Sequence, residues 1–262
     1  MTINLENLTA DLARIAIEAG DVIMTIYARE FSVTQKEDRS PVTEADQAAE
    51  DIILAGLARL TPDIPAVAEE AASAGNIPQI GDLFYLVDPL DGTKEFINKN
   101  GEFTVNIALI EKGKPIAGVV YAPAIGRMFT GNSQTGAAQY KVENNQLSEK
   151  QPIKVRDATG KPLVAIASRS HRDANTEEYL SHYNISEIVA AGSSLKFCLV
   201  ATGEADIYPR HGRTMEWDTA AGHAVLGAAG GEVTRLDGSA FLYGKVHEGF
   251  ANPFFVAKGH LE

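Results

Sequence analysis

The apolar run Leu83-Phe84-Tyr85-Leu86-Val87, followed at once by Asp88-Pro89-Leu90-Asp91-Gly92-Thr93, constrains this chain more than any other stretch. The unbroken apolar run predicts a buried strand. Pro89 and Gly92 then force a turn, so two carboxylates three residues apart project from the end of that strand. Hard divalent cations take oxygen ligands and bind through a few carboxylates together with substrate phosphate. The plain alternative is a solvated turn, because Asp, Pro and Gly are ordinary turn residues. The rest of the chain decides between them.

With 262 residues, 45% of them hydrophobic and 22% charged, the chain can bury a substantial core in one large domain or two intimate lobes. Its formal net charge of −12 disfavours nonspecific binding to nucleic acid or to anionic membranes. An acidic protein that handles phosphate must concentrate positive charge locally or take it from metal ions. The single cysteine, Cys198, excludes an intrachain disulfide and fits a reducing compartment. Flanked by Phe197 and Leu199, it reads as a buried inert thiol. Early acids (Glu6, Asp11) and the lack of a basic-then-apolar leader argue against a signal peptide. No run of about 18 apolar residues predicts a membrane span.

Apolar positions Leu8, Leu12, Ile15, Ala19, Val22, Ile23 and Ile26 predict an amphipathic helix over 8–27. A second helix is expected over 43–60, where Thr43 and Asp46 have capping-box spacing. Strands are expected at 66–68, 83–87, 104–110, 116–121 and 127–130, with a hairpin turn at 111–114. That half reads as two helices on a largely antiparallel sheet. From about residue 152 strands and helices alternate: strands at 163–167, 188–191, 206–208 and 232–236, helices at 175–182, 194–202 and 219–229. Such alternation predicts an α/β lobe. The polar stretch 141–151 is the candidate boundary between an N-terminal α+β lobe (1–150) and a C-terminal α/β lobe (151–262), or else a surface hairpin.

Three further acidic features matter. Glu69-Glu70 end the short strand after Pro65, Asp46 opens the second helix, and Asp218 precedes the helical run from Thr219. Singly, each has a plain reading: a solvated pair, a first-turn acid, a helix cap. Jointly, Glu69, Asp88, Asp91 and Asp218 all sit at a strand end or helix start, where a site between two lobes would be built. Carboxylates brought together raise one another's pKa, so such a cluster needs cations to stay ionised. Two Mg²⁺ ions supply that charge and suit in-line phosphoryl chemistry. Other chemistries fit poorly. D-x-D-G-T phosphatases need acids two apart, an EF-hand needs acids at its first, third and fifth positions, and Ser193-x-x-Lys196 lacks a K-T-G partner. No nucleotide P-loop or H-E-x-x-H motif is present.

These motifs resemble those of the inositol monophosphatase superfamily of lithium-sensitive, Mg²⁺-dependent phosphatases, over nearly the whole chain. The marks are Glu69-Glu70, Asp88-Pro89-Leu90-Asp91-Gly92-Thr93 and Trp217-Asp218-Thr219-Ala220-Ala221-Gly222. Lys94-Glu95-Phe96, the segment from Gly101 to Leu109, Gly192-Ser193-Ser194-Leu195-Lys196-Phe197-Cys198 and Tyr208-Pro209-Arg210 are similar to the bacterial 3′(2′),5′-bisphosphate nucleotidases within it. Met215-Glu216 departs from the aliphatic residue more often found before the Trp.

The resemblance implies a layered αβαβα sandwich of the inositol monophosphatase and fructose-1,6-bisphosphatase type, mixing α+β and α/β character. It assigns Glu69, Asp88 and the Leu90 carbonyl to one Mg²⁺, and Asp88, Asp91 and Asp218 to a second. Thr93 and Asp46 become the pair that orients and deprotonates the attacking water. Gly92 and Thr93 offer backbone N–H groups to the phosphate, and Ser193, Lys196, Arg210 and His171 meet the uncleaved phosphate and the nucleotide. The activity implied is hydrolysis of 3′-phosphoadenosine 5′-phosphate to AMP and phosphate. The implied setting is the cytoplasm, with room for peripheral attachment to the inner membrane. Turnover of inositol monophosphate or a sugar bisphosphate, or a non-catalytic metal- or nucleotide-binding role, are the alternatives.

Overall fold

A computed structural model describes residues 3–35, 41–167 and 174–261. The first helix, α1 (Leu5–Tyr27), starts at Asn4, whose side chain accepts the Asn7 N–H at 2.9 Å. A ribbon of β1 (Val33–Gln35) and β2 (Pro41–Thr43) leads into α2 (Glu44–Leu60), and then come β3 (Ala66–Ala68) and the short α3 (Glu69–Ser73). Next are β4 (Leu83–Asp91) and the short α4 (Thr93–Ile97). An antiparallel meander follows, made of β5 (Thr104–Glu111), β6 (Lys114–Ala122), β7 (Arg127–Asn132) and β8 (Gly136–Glu143). The short β9 (Gln146–Leu147) and β10 (Gln151–Ile153) both pair with β8, so residues 141–151 fold onto this sheet.

The chain continues through β11 (Leu163–Ala167), α5 (Ala174–Ser181), β12 (Ile185–Ala190) and α6 (Leu195–Ala201). It ends with β13 (Ile207–Arg210), α7 (Glu216–Ala228), β14 (Glu232–Arg235) and β15 (Phe255–Lys258). The larger sheet runs β10-β8-β7-β6-β5-β4-β3 with β9 added at β8, and the smaller runs β12-β11-β13-β15-β14. In the larger sheet only β3 and β4 pair in parallel, whereas β11 pairs in parallel with both β12 and β13.

The expected layering is present, and strand alternation explains it. Successive side chains of a strand point to opposite faces. Tyr85, Val87, Ile107, Leu109, Val119 and Tyr121 therefore join the core under α1 and α2, with Leu12, Ile23 and Ile53. Their neighbours Phe84, Leu86, Ala108, Ile110 and Val120 join a second core with Phe197, Trp217 and Val225 of α6 and α7. The smaller sheet lies on the far side of those helices, and its Ala165, Ile207 and Val256 meet Leu180 of α5 in a third core. The sequence is therefore apolar without a break over 83–87 and 107–110, where β4 and β5 are covered on both faces.

Close approach of α7 to the large sheet depends on missing side chains. A Cβ on Gly118 would lie 2.8 Å from the Ala221 carbonyl oxygen, and one on Gly131 would lie 2.6 Å from the Val225 Cα. Both glycines let the helix that carries Asp218 sit directly on β6 and β7.

Candidate active site

The carboxylates at the end of β4 owe their arrangement to an irregularity in the strand. Residues three apart in a regular strand face opposite sides. Between Asp88 and Asp91 the register with β5 shifts: Asp88 lies opposite Asn106 and Asp91 opposite Thr104, three residues against two. This bulge absorbs Pro89, which has no N–H to give the ladder, and re-aims the side chains beyond it. Asp88 is 1% exposed, and its Oδ1 accepts the Leu90 N–H at 3.0 Å within the bulge. Gly92 follows with φ 93°, a left-handed conformation that glycine adopts without penalty, and α4 begins at Thr93.

Two helix starts bring further acids to the same place. Glu69 opens α3 directly after β3, the parallel neighbour of β4. Asp218 stands in the first turn of α7, where its Oδ2 accepts the Met215 N–H at 2.8 Å. One carboxylate oxygen from each of Glu69, Asp88 and Asp218 lies within 4.8 Å of the others. Burial, followed by the charges of Asp91 and Glu69, pushes the Asp218 carboxyl well above the usual carboxylate range. Three acids this close resist joint ionisation, and a divalent cation with a preference for oxygen would relieve the strain.

Asp91 stands beside this trio. Burial pushes its carboxyl up, and the nearby Lys196 charge pulls it partly back. The Asn106 side-chain amide donates to Asp91 at 3.4 Å and to Ser194 Oγ at 3.0 Å, while Ser194 Oγ donates to the Asp218 carbonyl at 2.7 Å. Asn106 and Ser194 thus tie β4, α6 and α7 together around the acids.

Asp46, 2% exposed at the start of α2, reaches the residues after β4 through Thr93. Its Oδ2 accepts both the N–H and the hydroxyl of Thr43, each at 2.8 Å, which is the expected capping box. Its Oδ1 accepts the Thr93 hydroxyl at 3.2 Å, and the Leu90 carbonyl lies 3.5 Å from the same hydroxyl. The Thr93–Asp46 pair is therefore formed and oriented by backbone bonds on both sides.

A cationic corner adjoins Asp91. Lys196 is buried in α6, and its Nζ donates to the Ala191 carbonyl at 3.4 Å. Burial pushes its pKa down to about 8, with Asp91 opposing and Arg210 reinforcing the fall. Arg210 ends β13 and donates from Nη2 to the Arg213 carbonyl at 3.5 Å, while its buried Nε has no protein partner among the described residues. The buried Ser193 Oγ likewise has none, and Ser193 holds φ 47°, which costs a non-glycine residue on the order of 1–3 kcal/mol. Glu102 accepts the Gly192 N–H at 2.8 Å and so supports this loop from β5's side. Two orphaned donors beside two cations suit an anion with several acceptor oxygens.

Glu216 of the departing Met215-Glu216 pair is fully buried and ion-paired with Lys245 at 2.6 Å, where it fastens the start of α7. His171, expected among the substrate contacts, lies outside the described residues. Sequence reasoning missed Glu50, Asn106, Ser194 and Glu102. Glu50 left a readable signal, since it falls one helical turn after Asp46 on α2, while the other three lie within segments that carry the resemblance without a role assigned to them.

Comparison with known proteins gives the family. The family model of the inositol monophosphatases matches residues 4–260. The chain belongs to the inositol monophosphatase family. Among its relatives, the 3′(2′),5′-bisphosphate nucleotidase CysQ of Escherichia coli (strain K12) is 48% identical over 93% of this chain and 96% of its own. The protein of that name from Haemophilus influenzae is 31% identical over 99% of this chain and 95% of its own. A crystal structure of CysQ from Bacteroides thetaiotaomicron superposes with a TM-score of 0.82 at 36% identity, covering 100% of both chains. An inositol monophosphatase from Anabaena gives a TM-score of 0.75 at 27% identity, covering 98% of this chain and 93% of that one. The family's layered fold is thus shared from end to end, and no helix among the described residues is long and apolar enough to cross a membrane.

Proposed function

We propose that this inositol monophosphatase family member is a 3′(2′),5′-bisphosphate nucleotidase that hydrolyses 3′-phosphoadenosine 5′-phosphate to AMP and phosphate. The observation that carries the reading is the Thr93–Asp46 hydrogen bond beside the Glu69–Asp88–Asp218 cluster. A phosphomonoesterase needs a proton acceptor for water and cationic compensation at the phosphate. The nucleotidase relatives carry the choice of substrate.

Glu69, Asp88, Asp91, Asp218 and the Leu90 carbonyl would hold Mg²⁺, two or more ions per site, since all are hard oxygen donors. When bound, the ions supply Lewis-acid charge stabilisation and make water acidic enough to react near neutral pH. The protein's own groups handle the proton. Thr93 Oγ donates to Asp46 Oδ1, so its lone pairs can accept a hydrogen bond from water and aim it at phosphorus. As the water proton moves to Thr93 Oγ, the Thr93 proton moves to Asp46 Oδ1. Thr43 holds the other Asp46 oxygen in place meanwhile. Backbone N–H groups of Gly92 and Thr93 meet the phosphate that is cleaved.

Ser193, Lys196 and Arg210 receive the phosphate that stays. Their two orphaned donors and two positive charges answer a dianion in an otherwise acidic protein. His171, outside the described residues, is assigned to the same phosphate by the resemblance alone. We assign the protein to the cytoplasm, without nucleic-acid partners and with at most peripheral membrane contact. Li⁺ is expected to inhibit it by competing for a metal position.

The test is phosphate release from 3′-phosphoadenosine 5′-phosphate and from inositol 1-phosphate under identical Mg²⁺. The proposal expects the nucleotide to win in kcat/KM. Faster turnover of the inositol ester would move the enzyme to the monophosphatase branch, and no turnover of either would leave a binding protein.

A further inference from the structure

Helix α2 carries a second buried carboxylate, Glu50, one turn beyond Asp46 and 1% exposed. Its Oε2 accepts the Glu70 N–H at 2.7 Å and its Oε1 accepts the Ala71 N–H at 2.7 Å. Both N–H groups belong to the first turn of α3, where a helix offers them no internal partner. No side chain caps α3 from within: its cap residue is Ala68. The helix is five residues long and fully buries none of them, with Ala72 partly buried against the core, so length alone does not hold it in place. The Glu50 carboxylate does what a cap would do, from a neighbouring helix.

That helix starts with Glu69. Its carboxylate reaches the acidic trio from a backbone whose next two N–H groups are held by Glu50. Glu50 holds both N–H groups although burial and the neighbouring charges of Glu70 and Glu69 disfavour its ionised form. An amide could satisfy only one of the two donors, since its nitrogen cannot accept.

We propose that Glu50 is a positioning residue for the metal site, fixing the placement of Glu69 and thereby setting the affinity for divalent cations. The inference rests on the reading of Glu69 as a ligand. Through α2, one rigid element then aligns both halves of the site: Asp46 aims Thr93, and Glu50 aims Glu69.

The test uses the full chain stripped of metal, with Glu50→Gln, Glu50→Asp and Glu69→Gln variants. Mn²⁺ binding is measured by calorimetry without substrate, together with amide hydrogen exchange at Glu70 and Ala71 and thermal stability in chelator. Glu50→Gln keeps the shape and loses one bond; Glu50→Asp keeps the charge but is too short to span both. Each is expected to weaken Mn²⁺ binding by about 10- to 100-fold, the range typical of groups that orient metal ligands. Exchange at both amides should quicken, and kcat should recover at saturating Mg²⁺. A merely structural role would lower the melting temperature and leave Mn²⁺ affinity unchanged. Wild-type affinity in both Glu50 variants, with weakened binding in Glu69→Gln, overturns the inference alone. Wild-type affinity in Glu69→Gln brings down the ligand reading and this inference together.

Discussion

At the scale of single residues, the proposed chemistry divides between a proton path and an anion corner. Thr93→Val keeps the side chain's shape and removes the hydroxyl that bonds Asp46. Steady-state assays should show kcat reduced by about 10²- to 10⁴-fold with an unchanged circular-dichroism spectrum. A loss confined to KM would take Thr93 out of the proton path. Arg210→Met removes one of the two cations of the anion corner. A hydrogen bond to a charged group contributes about 1.5–3 kcal/mol, so kcat/KM for the bisphosphate should fall on the order of 10- to 100-fold. Hydrolysis of inositol 1-phosphate, which has no second phosphate, should change little. Equal losses on both substrates would contradict the assignment. The acids of this site were legible because each ends a strand or opens a helix. The bonds of Asn106, Ser194 and Glu102 were not, because a single polar letter, whether inside an apolar run like Asn106 or in a loop like the other two, does not say which neighbour it bonds.

At the scale of elements, β4 shows both what the pattern reveals and where it stops. The apolar run predicts a strand ending at Val87, yet the strand continues to Asp91. Pro89 looks like a terminator because it lacks an N–H, and the bulge removes that difficulty by leaving one residue unpaired. The same bulge turns a three-residue spacing, awkward in a regular strand, into two carboxylates beside one site. Other misses have a simpler cause. β8 contains Gly136, Ala137 and Ala138, poor strand formers whose extended state is imposed by pairing with β7. The α7 helix depends in turn on Gly118 and Gly131. Gly131→Ala would press a methyl against the Val225 backbone, and overpacking of this kind costs about 1–3 kcal/mol. Denaturant unfolding should show that loss, with weaker Mn²⁺ binding because Asp218 moves with the helix. Wild-type stability would mean that α7 can shift without strain.

At the scale of the whole molecule, three stacked cores hold two sheets and place the acids where β3, β4 and α7 meet. The alternation of strands and helices after residue 152 made the second sheet legible. The order of its strands, with β15 inserted between β13 and β14, was not, because pairing partners leave no periodic trace. Layering also half-buries His223 of α7, whose Nδ1 lies 3.0 Å from the Tyr243 hydroxyl. Burial pushes its pKa down to about 4 from the ordinary 6.5. Between those values the unfolded chain binds a proton that the folded chain refuses. The His223 contribution to stability is therefore complete above pH 6.5 and is lost as pH falls toward 4. Melting temperatures across that range should drop less steeply in His223→Gln than in the wild type; parallel curves would exclude His223 as the cause.

The central claim is that the cluster of Glu69, Asp88, Asp91 and Asp218 works by holding Mg²⁺ beside the Thr93–Asp46 pair. The direct measurement is phosphate release from 3′-phosphoadenosine 5′-phosphate by chelator-stripped protein during a Mg²⁺ titration. The expected result is no turnover without metal, saturable recovery with Mg²⁺, and no recovery in Asp218→Asn at the concentration that saturates the wild type. Turnover that persists after chelation, or an Asp218→Asn variant with the wild-type Mg²⁺ response, would contradict it.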